Sequence, residues 1–165
     1  MKLRLSFLSS IITLFTVFCF LVSCNKEYSS SYGYDRIKVY EYNKKPWDSD
    51  ASKNKLYLSE ISDQDRILYP KIEKLNFTLI DSLKPSLKID SILFKGRYDV
   101  YFPRPNCPAG NNHILLFYKE DILKYVAKFS DYCDECFLIN HGTGQRHYMK
   151  LGYNDFMKQV KTIMH

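Results

Sequence analysis

The spacing of apolar residues changes several times along this chain. Ile37-Lys38-Val39-Tyr40-Glu41-Tyr42 alternates in the manner of a half-buried strand. Asn43 to Lys55, which holds Lys44-Lys45-Pro46-Trp47, reads as a loop, with Trp47 a partial core plug or a surface anchor. Ser62-Asp63-Gln64-Asp65 suits the start of a short helical turn, since carboxylates are favoured at its positive end. Ile72, Leu75, Leu79, Ile80 and Leu83 recur at helical spacing, so Pro70–Leu83 is predicted to be a helix. Leu87–Phe94 and Arg97–Phe102 are rich in strand formers and flank a turn at Lys95-Gly96. Pro103–Asn112 reads as an irregular loop.

Ile114–Tyr118 is apolar enough for a strand buried on both faces. Ile122–Phe129 fits either period; its shortness favours a strand hairpinned to Ile114–Tyr118 through Lys119-Glu120-Asp121. Cys136–Asn140 and His147–Leu151 would be further strands, and an amphipathic helix starts at Asn154. Together these elements predict an α+β domain, a small antiparallel sheet packed by one or two helices.

The first residues follow a different logic. Lys2 and Arg4 precede Leu5–Val22, a run without charge or proline, and polar residues begin at Asn25. A positive start, an apolar run and a small-residue exit are the order of a secretory signal peptide. The run is nearly long enough for a spanning helix, but no basic cluster follows it to stop transfer. It ends in Leu21-Val22-Ser23-Cys24, which resembles the lipobox of bacterial lipoproteins. That resemblance covers residues 1–24 and implies cleavage before Cys24, with lipid carried on its thiol. Two or three acyl chains would then make attachment durable, where one alone binds reversibly. In some bacteria an aspartate after the lipoprotein cysteine signals retention in the inner membrane, so the resemblance, with Asn25 at that position, implies the outer membrane over the inner. The expected organisation is a signal peptide over 1–23, a lipidated tether over 24–34 and one domain over 35–165.

Composition narrows the partners. Removing residues 1–23 from the 165 leaves 142, enough for one core, and takes two positive charges from a net charge of +6. The small basic excess that remains does not suggest nucleic acid, although it allows mild attraction to anionic lipid or polysaccharide. All 14 tyrosines follow the cleavage site, and five lie between Tyr28 and Tyr42. They suit either strand positions or a recognition surface, strand positions being the more ordinary use.

Candidate chemistry centres on Cys107, Cys133 and Cys136. Cys133-Asp134-Glu135-Cys136 has dithiol spacing, but two carboxylates between the thiols oppose thiolate formation. Cys133, Cys136, His141 and His147 are zinc-ligand types; the cysteine pair has suitable spacing, while the histidines fall outside the usual finger pattern. In an oxidising envelope the ordinary reading is a disulfide from Cys107 to Cys133 or Cys136, with one thiol left over. The glycines of His141-Gly142-Thr143-Gly144-Gln145-Arg146-His147 suit a hairpin turn better than a phosphate cradle. No sequence motif calls for a catalytic residue or a cofactor. The expectation is a non-enzymatic envelope lipoprotein that binds a protein or surface glycan, an immunity-type protein being one form. Its rival is a thiol- or metal-dependent protein built on Cys133, Cys136, His141 and His147.

Overall fold

The structure, a computed structural model, describes residues 28–43, 69–95, 110, 112–131 and 133–161. Strand β1 (Arg36–Tyr42) is followed by a 3-10 helix (Tyr69–Leu75), β2 (Phe77–Leu83) and helix α1 (Leu87–Leu93). Strands β3 (His113–Lys119), β4 (Ile122–Ser130), β5 (Glu135–Asn140) and β6 (Arg146–Met149) come next, then helix α2 (Tyr153–Lys161). All pairings are antiparallel, in the order β2-β1-β3-β4-β5-β6, so the described fold is α+β.

The central strands are apolar on both faces because both faces are buried. Ile37, Val39, Leu115, Phe117, Ala127, Phe129, Cys136 and Leu138 share one cluster with Ile89 and Leu93 of α1 and Phe156 and Met157 of α2. The alternate positions Tyr40, Tyr42, Ile114, Leu116, Val126, Phe137 and Ile139 join Tyr69 and Ile72 of the 3-10 helix and Phe77 of β2. Glu120 and Asp121 both have positive φ, 48° and 66°, the geometry of a two-residue turn whose twist matches the strands it joins.

Two expected elements are exchanged. Pro70–Leu83 is not one helix: a 3-10 helix ends at Leu75, Asn76 turns to φ 64°, and β2 follows. Asn tolerates that left-handed conformation and so ends the helical run, and β1 supplies a ladder for the next residues. Leu87–Phe94 is likewise not extended. Ser86 caps α1, its Oγ accepting the Ile89 N–H at 3.2 Å, and Ile89 and Leu93 then bury one helical face. The expected strand at 97–102, Trp47 and the cap at 62–65 lie outside the described residues.

Candidate binding surface

The segment expected to be tether is docked from Tyr28 onward. The side chains of Tyr28, Ser30 and Tyr34 all donate to the carboxyl group of Asp90, which is fully buried on α1. The distances are 2.8 Å from Tyr28, 2.8 Å from Ser30 to Oδ2, and 2.5 Å from Tyr34. The Tyr32 N–H donates to Ser30 Oγ, and the Tyr32 ring stacks on Phe94 at 4.1 Å. Burial, and then the hydrogen bond to Asp90, push the Tyr34 phenol far above its usual range. Because Tyr34, Tyr40 and Tyr42 are buried, the early tyrosines serve packing more than display. A lone acid inside Ile89-Asp90-Ser91-Ile92-Leu93 was the available sequence signal, and the extended reading of that segment hid it.

A groove of about 740 Å³ opens between the β2–α1 connection and the last turn of α2. Its apolar lining includes Leu83, Pro85, Leu87, Met157 and Val160. Leu87, in the first turn of α1, is 62% exposed. Among the described residues, Lys84, Lys88 and Lys161 line the same groove with one carboxylate, Asp81. The neighbouring edge strand is less inviting to an added strand: Ile80 falls at a register shift opposite Val39/Tyr40, and a bulge of that kind discourages pairing.

A second polar cluster lies where α2 begins. The His113 ring stacks on Tyr153 at 3.7 Å, with Nδ1 3.1 Å from Asp131 Oδ2 and Nε2 3.7 Å from Glu41 Oε1. The Nδ1 approach does not have the geometry of an ordinary hydrogen bond. Asp131 also accepts the Tyr153 N–H at 2.9 Å and the Asn112 amide at 2.7 Å. Burial raises the Asp131 pKa, but His113, Tyr153 and Asn112 outweigh it and hold the carboxyl below its usual range. Asp131 thereby satisfies a backbone donor at the helix start, and the cluster fastens α2 to the β4–β5 turn. Sequence reading missed it, because partners 19 and 22 residues from Asp131 leave no local pattern.

Among the described residues, Cys133, Cys136, His141 and His147 are not gathered into one metal-binding group. Cys133 is disulfide-bonded, whereas Cys136 is free and fully buried within the cluster that includes α1 and α2. Burial pushes the Cys136 thiol well above its usual pKa. His147 pairs with Leu138, while the His141 ring lies 6.4 Å from Tyr69, a residue of the opposite cluster. Among the described residues, no group of three or more His, Cys, Asp or Glu side chains is placed to hold a metal. The 141–144 turn is closed by Asn140, whose Oδ1 accepts the N–H groups of Gly142 and Thr143, so those donors are already used. Cys24 and Cys107 lie outside the described residues.

No protein-family model, curated protein or solved structure matches this chain. Among the described residues, no helix is long and apolar enough to cross a membrane.

Proposed function

We propose that this chain is a lipoprotein of the bacterial cell envelope, anchored by lipid on Cys24, whose domain is a non-enzymatic binding module. In this reading the sheet is packed on one face by α1 and α2, and the binding surface is the groove they border. The observation that carries it is the groove itself, apolar within, lysine-bearing at its margin and flanked by the exposed Leu87. A concave, mostly apolar surface of this volume with a few polar groups at its margin has the form of a binding site. The proposed address is the outer membrane, on the identity of Asn25. A thiol- or metal-based activity has less support, because Cys133 is in a disulfide and Cys136 is sealed in the core.

The anchor is tested by metabolic labelling with a fatty-acid analogue. The wild-type chain is expected to take up label and to lose residues 1–23, whereas Cys24→Ala accumulates as unlabelled precursor. Label retained by Cys24→Ala overturns the lipoprotein reading.

A further inference from the structure

We propose that the groove and the first turn of α1 lie against the bilayer that holds the anchor, with Leu87 entering the interface and Lys88 and Lys161 meeting anionic headgroups. This rests on the lipoprotein reading above and gives the binding surface its partner, an anionic lipid surface.

Three observations converge. The first is reach: Tyr28 is fixed to Asp90 of α1, and Cys24 is four residues before Tyr28. Four extended residues span at most about 14 Å, so lipid on Cys24 keeps this part of α1 close to the membrane surface. The second is direction. Leu87 and Asp90 are three residues apart on α1, within one turn of each other, and Leu87, which lines the groove, is largely exposed. The third is charge. Among the described residues, Lys88 and Lys161 line the groove with a single carboxylate, Asp81; Lys84 also lies there but has another interaction within the protein. Basic side chains act on an anionic surface only within about 8–10 Å at physiological salt, and an anchor of four residues lets α1 come that close. A long tether would let the domain tumble; the clamp on Asp90 limits the tether to the four residues before Tyr28.

The test uses full-length lipidated protein purified from membranes and returned to vesicles of phosphatidylglycerol and phosphatidylethanolamine. An environment-sensitive NBD fluorophore is placed on Leu87→Cys, or on Asn154→Cys at the other end of α2. The Leu87 label is expected to brighten several-fold and shift to the blue on these vesicles, while the Asn154 label stays wet. Lys88→Glu combined with Lys161→Glu should remove most of the Leu87 gain without releasing the protein from vesicles. Equal wetness at both positions, in protein that floats with the vesicles and carries lipid by intact mass, overturns the orientation and leaves the anchor standing. Protein without lipid on Cys24 overturns the anchor and the orientation with it. An undiminished gain on phosphatidylcholine alone overturns the role assigned to the lysines.

Discussion

The hydroxyl of Tyr34 donates to Oδ1 of Asp90 at 2.5 Å, across 56 residues of chain, with both side chains buried. A buried carboxyl group is costly unless its oxygens are hydrogen-bonded, and here Tyr28, Ser30 and Tyr34 all supply donors. The same bonds join the start of the domain to α1. Asp90→Ala is therefore expected to lower unfolding stability by about 2–4 kcal/mol, since it strands two buried hydroxyls and opens a cavity. Tyr34→Phe should cost less, about 1–2 kcal/mol. Denaturant titration checks both, and amide exchange at residues 30–34 should quicken in Asp90→Ala. Unchanged exchange there would mean that the clamp does not hold the segment.

Stability should fall at both pH extremes through identifiable groups. Asp131 has its folded pKa lowered, so its contribution is complete above the unfolded carboxyl pKa of about 4 and is lost as pH falls through the folded value. Tyr34 has its folded pKa raised, and burial first of all pushes Tyr40 and Tyr153 up to about 12. Their contribution is complete below the unfolded phenol pKa of about 10 and is lost as pH rises through the folded values. Thermal melts across pH should show Asp131→Asn flattening only the acid limb and Tyr34→Phe softening only the alkaline one. Parallel profiles for wild type and Asp131→Asn would remove Asp131 from the account.

Cysteine accounting separates the disulfide from the free thiol. Cys136 has no exposed surface, and burial keeps its thiol protonated, so native protein should not react with iodoacetamide at neutral pH. After denaturation without reductant, Cys107, Cys133 and Cys136 should together yield one thiol, and reduction should release two more. Peptide mapping is expected to join Cys107 to Cys133. Three thiols before reduction would contradict the bond at Cys133.

Much of the fold was legible because the strands carry their own signals. The run Ile114–Tyr118 and the Glu120-Asp121 turn located β3 and β4 within a residue or so, since two-sided burial and a tight turn are both local properties. The exchange of helix and strand between 70 and 94 was not legible in the same way. Leu79 and Ile80 fit a helical stripe by spacing, yet they sit 43% and 44% exposed on an edge strand whose partner, β1, is far away in sequence. Asn76 and Ser86 were the local corrections, one ending a helix and the other starting one. The Asp90 and Asp131 clusters were illegible for a related reason: each gathers residues from distant segments, and only the folded register makes a buried acid out of an ordinary one.

That contrast gives the sharpest test of the architecture. Leu79 and Leu116 look alike in sequence, as leucines within apolar stretches, but Leu116 has no exposed surface and lies on β3 between Lys38 of β1 and Val126 of β4. Aspartate there would place an unpaired charge in the middle of the sheet, a cost of several kcal/mol against a total stability of about 5–15 kcal/mol. Leu116→Asp should therefore leave the domain unfolded at ordinary temperature. Leu79→Asp puts the same charge on the outer strand, where the side chain already meets water, and should shift stability by no more than about 0.5 kcal/mol. Circular dichroism melts of the two variants decide the matter. Comparable losses would mean that β2 is as buried as β3, and equally mild effects would mean that β3 is not the centre of the sheet.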